Sequence, residues 1–267
     1  MPQTIFITGA ASGIGFATAQ KLYAQGWILG LADVDEYALV KAIDGWDRSR
    51  VSHWQLDVTD AYRVEQVIGE FAMQWGGQLD VLFNCAGILQ IDRFEAMSSK
   101  RHQQIINVNV MGVMHCCHAA FQYLKNSPGS TVINMSSACA AYGIPHMASY
   151  SASKFAVSGF TEALQLEWEE FDIRVCDIMP PFVTTPLLMD QASGAPVLER
   201  LGVNLNAAEV ADGVVAQIKN PRTHRPVSAF FSFVWLLNQI TPRAVSRTVV
   251  RFLSRSEEPE AAQDAKW

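Results

Sequence analysis

The sequence predicts an α/β fold with a doubly wound parallel sheet, and three observations lead there. Short β-branched or apolar runs alternate with longer amphipathic stretches, as when parallel strands are joined by helical crossovers. The first such run passes straight into a glycine-rich turn and then a helix start. The chain has 267 residues, 49% of them hydrophobic and 17% charged, enough to bury one large core with helices on both sheet faces.

Taken in order, strands are expected at residues 4–8, 27–33, 51–57, 79–84, 131–136 and 174–179. Helices are expected at 14–25, 61–75, 100–125 and 151–170. A net charge of -6 supplies no basic field for phosphate backbones, so nucleic acid is not an expected partner. The five cysteines, Cys85, Cys116, Cys117, Cys139 and Cys176, show no framework spacing and their number is odd, which points to a reducing cytoplasm. His115, Cys116, Cys117 and His118 are consecutive in a helix and point around most of its circumference, so no metal site is expected there. No charged region and apolar stretch of a secretion signal precede the strand at 4–8.

The turn after that strand reads Thr8-Gly9-Ala10-Ala11-Ser12-Gly13-Ile14-Gly15. Gly9 suits a tight turn, Gly13 a close backbone approach to a pyrophosphate, and Gly15 close packing of the helix on the sheet. The helix N-terminus offers free N–H groups to the anion, so a Rossmann-type dinucleotide site is expected. The second strand ends on Asp33, where a carboxylate can accept hydrogen bonds from an adenosine ribose. A 2′-phosphate would meet the same carboxylate as a like charge, and Val34 and Asp35 bring no compensating cation. NAD is therefore expected in preference to NADP.

Tyr150-Ser151-Ala152-Ser153-Lys154 opens the helix at 151–170, and side chains four apart share a helix face. An ammonium beside a phenol, together with an oxidised nicotinamide, favours the phenolate and makes it a usable acid/base. Alone such a pair is common; its neighbours give it weight. Ser137 follows the fifth strand on the sheet edge where ligands bind, and its hydroxyl can donate to a carbonyl oxygen or simply cap a helix. Asn109 is a polar residue within a helix, either satisfied in the core or holding a water near Lys154.

With these residues assembled, the chain resembles the short-chain dehydrogenase/reductase family from Thr4 to about Pro186. The resemblance implies that Gly9, Ser12, Gly13, Ile14 and Gly15 hold the pyrophosphate and that Asp57 and Val58 contact the adenine. It places Asn84, Ala86 and Gly87 at the cofactor as a strand end that differs from the family pattern at Cys85. It also maps a catalytic tetrad onto Asn109, Ser137, Tyr150 and Lys154, with Lys154 gripping the nicotinamide ribose. After the sixth strand the usual Pro-Gly is Pro180-Pro181; Val183 and Thr185 still match the carboxamide-binding positions. Phe182 either shields the ring or belongs to the core.

Apolar segments flank the tetrad at 88–91, 140–147 and 186–189, so the expected substrate is a hydrophobic secondary alcohol or ketone: steroid-like, aromatic or long-chain. His146 and Tyr142 either touch a polar substituent or serve packing, and residues 187–206 are expected to cover the pocket as a lid. The family's usual seventh strand and Gly-rich tail are expected to be missing. Instead, residues 221–255 carry six arginines and no acid, with Arg243, Arg247, Arg251 and Arg255 at four-residue intervals. The expected organisation is a dinucleotide-binding and catalytic domain at 1–225, an amphipathic helical extension packed on it at 226–255, and a disordered tail at 256–267. The extension can lie on an anionic membrane surface, on its own domain or on a second subunit of a homodimer. An NADP(H)-dependent carbonyl or 3-oxoacyl reductase is the alternative enzyme. A non-catalytic dinucleotide-binding sensor or adaptor would not need a tuned phenol.

Overall fold

A computed structural model describes residues 3–189 and 205–241, with positions 248 and 251 besides. The core is a seven-stranded parallel sheet in the order β3-β2-β1-β4-β5-β6-β9. Its strands are β1 (Thr4–Thr8), β2 (Ile28–Asp33), β3 (Val51–Gln55), β4 (Val81–Asn84), β5 (Thr131–Met135), β6 (Arg174–Met179) and β9 (His224–Pro226). The short strands β7 (Val183–Thr184) and β8 (Leu205–Asn206) pair separately. Strand order reverses between β1 and β4, and that switch point is where a doubly wound sheet opens a ligand crevice.

Every residue of β1, β4 and β5 is buried, because helices cover both faces and alternate side chains enter different cores. Phe6, Leu82 and Val132 pack with α3 (Ala61–Gln74), α5 (Gly112–Lys125) and α6 (Ala148–Trp168). Ile5, Ile7, Val81, Phe83 and Ile133 face α1 (Gly13–Ala24), α2 (Glu36–Ala42) and the helix at Ala207–Lys219. Each buried aliphatic or aromatic side chain of this kind contributes about 1.5–3 kcal/mol.

Several elements depart from expectation, each for a local reason. The third strand stops at Gln55 rather than 57, because Asp57 turns the chain by accepting hydrogen bonds from the Thr59 amide and hydroxyl. The helix expected at 100–125 is α4 (Ser99–Ile106), a π-helical turn (Asn107–Met111) and α5 in succession. Helix α6 begins at Ala148, three residues early, which puts Tyr150 inside its first turn. The unforeseen α2 is capped by Asp35 on the Ala38 amide. The helix at Ala207–Lys219, α8 with α7 (Pro186–Met189) before it, starts on a reciprocal Asn206–Glu209 capping box.

The seventh strand is present, contrary to expectation. Strand β9 pairs parallel with β6, Asp177 beside His224, and its proline sits at the end of an edge strand, where a missing donor is tolerated. The last described helix, α9 (Ala229–Ile240), is capped by Ser228 and packs Phe231 on Ala138, Ala140 and Met179. Of the lid expected at 187–206, the ends fall in α7 and β8, while residues 190–204, most of the arginine-bearing stretch after 241 and the tail at 256–267 lie outside the described residues.

Candidate active site

Three backbone features build the glycine-turn end of the cleft. Gly9 has φ +67°, and a Cβ there would stand 2.8 Å from the Ala86 Cα, so the turn and its neighbour both require glycine. A Cβ on Gly15 would overlap the Gly9 carbonyl oxygen, which is how the helix comes so close to the turn. Ser12 caps α1 in extended conformation without a side-chain hydrogen bond, so the first-turn amides are left for an anion. Asp33, half-buried, accepts hydrogen bonds from the Ala11 amide at 2.9 Å and the Asp35 amide at 3.0 Å. Its carboxylate is thus braced against the glycine loop rather than free in solvent.

A cleft of about 420 Å³ runs from this loop across the sheet edge to α6. Gly9, Ser12, Gly13, Ile14, Gly15, Asp33, Asp57, Val58, Ala86 and Gly87 line its first half. Ser137, Tyr150, Lys154, Val183 and Thr185 line the second. These are fifteen of the seventeen expected site positions, gathered from seven segments of the chain.

The two exceptions are Asn84 and Asn109, which are buried and do not line the cleft. Asn84 donates to Asn134 Oδ1 at 2.9 Å, inside the sheet row. Asn109 accepts from the Ile88 amide at 2.8 Å and donates to the Ile88 carbonyl at 3.0 Å and the Ser153 hydroxyl at 3.1 Å. Through those partners its side chain pins the chain that follows Gly87 onto α6. Ser153 in turn donates to the Tyr150 carbonyl at 2.6 Å; the sequence does not mark it as a site residue, because Asn109, which it joins to Tyr150, lies 44 positions away.

At the reacting end, Lys154 Nζ lies 5.4 Å from the Tyr150 ring centroid and donates to the Met135 carbonyl at 2.7 Å. Burial lowers the ammonium to about 8, with the Cys85, Cys139 and Asp177 charges opposing it. Burial also pushes the Tyr150 phenol well up, further helped by Cys139 and opposed by a hydrogen bond with Ser137. Burial by itself thus disfavours the phenolate, opposing the effect of an adjacent ammonium and an oxidised nicotinamide. Ser137 accepts from the Cys139 amide at 3.2 Å, so it caps a short turn and meets the phenol at once.

The wall beyond is apolar: Leu89, Met147, Phe182, Leu187 and Leu188 line the cleft, and Phe182 also packs with the cluster around Ile144. Tyr142 and His146 stand outside the lining. Pro180, in the departure from the family pattern, accepts from the Ala138 amide at 2.9 Å and ties the ends of β5 and β6 together. His115 Nδ1 lies 3.0 Å from the Val58 carbonyl, while Cys116 and Cys117 are core residues.

The family profile described as short chain dehydrogenase matches residues 3–195. A 3-ketodihydrosphingosine reductase of Bacteroides thetaiotaomicron is 36% identical over 179 residues, 67% of this chain and 63% of that protein's length. A 3-oxoacyl-(acyl-carrier-protein) reductase of Thermotoga maritima is 34% identical over 184 residues, 68% of this chain and 74% of the relative. In fold, a crystal structure of a short chain dehydrogenase/reductase from Burkholderia phymatum superposes with a TM-score of 0.80 at 23% identity, covering 97% of both chains.

Proposed function

The chain belongs to the short-chain dehydrogenase/reductase family of nicotinamide-dependent oxidoreductases, and from that premise we propose that it moves hydride between NAD(H) and a hydrophobic secondary alcohol or its ketone. The observation that carries the reading is a single cleft with a braced carboxylate at one end and Ser137, Tyr150 and Lys154 against an apolar wall at the other. Gly9, Ser12, Gly13 and the first turn of α1 would hold the pyrophosphate, Asp33 the adenosine ribose, and Lys154 the nicotinamide ribose. The bound nicotinamide supplies a hydride to the ketone or takes one from the alcohol. Ser137 and Tyr150 both donate to the substrate oxygen, and Tyr150 gives up its proton as that oxygen gains charge.

Two features support NAD(H) over NADP(H). Asp33 is held in place by two backbone amides, so it cannot swing away from a 2′-phosphate without leaving them unpaired. Among the described residues lining the cleft, Lys154 is the sole Lys or Arg, and it sits at the opposite end. The apolar wall and the likeness to a reductase of a long-chain amino ketone favour an extended lipophilic ketone as substrate. The likeness to the Thermotoga 3-oxoacyl reductase supports a second reading, reduction of a 3-oxoacyl thioester.

Titration with NADH and NADPH tests the cofactor assignment: NADH is expected to bind at least tenfold more tightly, and Asp33→Ala to narrow the gap. Tighter NADPH binding by the unaltered protein would overturn it. A panel of long-chain, steroidal and aromatic ketones followed by NADH oxidation tests the substrate class, and turnover of small polar sugars alone would sink it.

A further inference from the structure

Helix α9 turns five large apolar side chains outward: Phe230, Phe233, Leu236, Leu237 and Ile240, of which Phe230 is 73% and Ile240 78% exposed. At about 100° per residue they occupy one arc of roughly 120°, while Phe231, Val234, Trp235 and Asn238 take the inward side. The helix contains no charged residue. Its inward side is seated on Ala138, Ala140 and Met179, and Asn238 donates to the Ala141 carbonyl at 3.0 Å. The turn it grips follows directly on Ser137. One helix diameter, about 10 Å, therefore separates the outward face from the wall of the reaction site.

Charge identifies what fits that face. Residues 221–255, which surround α9 in sequence, hold six arginines and no acid in a chain whose net charge is -6. A second copy of the chain would bring the same sign of charge in its own residues 221–255 and so offers no complement to them. An anionic lipid surface attracts the same segments at about 1 kcal/mol per arginine near the headgroups. At 12 residues α9 is far shorter than the roughly 20 a bilayer span requires. Its geometry, apolar outward and flanked by cationic sequence, is that of a helix lying in the plane of the interface.

We propose that the outward face of α9 beds in the headgroup and acyl boundary of an anionic membrane, and that lipophilic substrate enters the cleft from that surface. The membrane contact stands on α9 and its flanking charge; the delivery of substrate rests on the proposed function. The partner is a phospholipid bilayer bearing net negative charge.

The test uses the full chain and sedimentation with vesicles of phosphatidylcholine alone or with about 30% phosphatidylglycerol. The protein is expected to pellet with the anionic vesicles at low salt, and salt of about 0.5 M, which screens the charge, is expected to weaken the binding. A Phe230→Ser, Phe233→Ser, Ile240→Ser variant, shown by NADH binding to be folded, is expected to partition at least tenfold less. Absence of wild-type binding to anionic vesicles, or unchanged binding by the triple variant, overturns the proposal. So does wild-type dimerisation in sedimentation velocity that the triple variant abolishes without any vesicle binding, since the face is then a subunit contact. Vesicle binding without turnover of any lipophilic ketone would sink the substrate reading and leave the membrane face standing. Ketone turnover without vesicle binding does the reverse.

Discussion

Burial acts on Tyr150 and Lys154 in opposite directions, raising the phenol and lowering the ammonium to about 8, and in both it favours the uncharged form. For Lys154 the sign is clear. Its folded-state value lies below the ordinary 10.5, so the buried ammonium costs stability at neutral pH, and the cost fades as pH rises through 8 towards the unfolded value. Lys154→Met should therefore abolish turnover yet stabilise the fold by about 1–3 kcal/mol at pH 7, with a smaller gain at pH 9, measurable by urea denaturation. A destabilised variant would show that the hydrogen bond to Met135 outweighs the desolvation. Tyr150→Phe removes the transferable proton and leaves the ring in place, so kcat should fall about 10²–10⁴-fold with NADH affinity nearly unchanged. Retention of most turnover would move the proton-transfer role elsewhere.

At the level of elements, the parallel register lines up Asn84, Asn134, Asp177 and His224 across β4, β5, β6 and β9, on the face covered by α6. Asp177 is fully buried and accepts from Ser158 at 2.8 Å, and His224 Nδ1 lies 2.9 Å from its carboxylate, with Nε2 2.9 Å from Glu162. Hydrogen bonding to Asp177 raises His224 above its ordinary 6.5, while burial raises Asp177. His224 thus holds its proton more tightly in the folded state than in the unfolded chain, so its contribution is full below 6.5 and declines as pH rises through the raised value. His224→Gln should lower the melting temperature at pH 6 by about 2–4 °C per kcal/mol lost, and by less at pH 9. An equal loss at both would mean that the pair contributes through packing rather than charge.

At the scale of the molecule, the dinucleotide cleft is shared by the two halves of the sheet, with the glycine loop on β1 and Tyr150 on α6 beyond β5. A ligand spanning both ends stabilises the folded state by mass action, about 2.7 kcal/mol at a hundredfold excess over Kd. Thermal melts should consequently rise with NADH and rise less with NADPH at equal concentration. An equal shift would mean that Asp33 does not discriminate. The outward face of α9 belongs to this scale too, because it matters only for where the whole enzyme sits relative to its substrate.

Periodicity and local chemistry in the sequence determined the alternation of strands and helices, the glycine turn, and the residue types that would meet at a reacting centre. A strand–turn–helix junction is a local event, so its signal lies within about ten consecutive residues. Long-range closure decided the rest. Strand β9 has three residues and a proline, too short to announce itself, and exists because Asp177 and the edge of β6 receive it. Asn84 and Asn109 carry the residue types of a cofactor or water site, and their hydrogen bonds reach partners 50 and 21 positions away, which no local motif announces. The ionisation of Tyr150 depends on how much protein surrounds it, a property of three-dimensional burial that a five-residue motif does not contain.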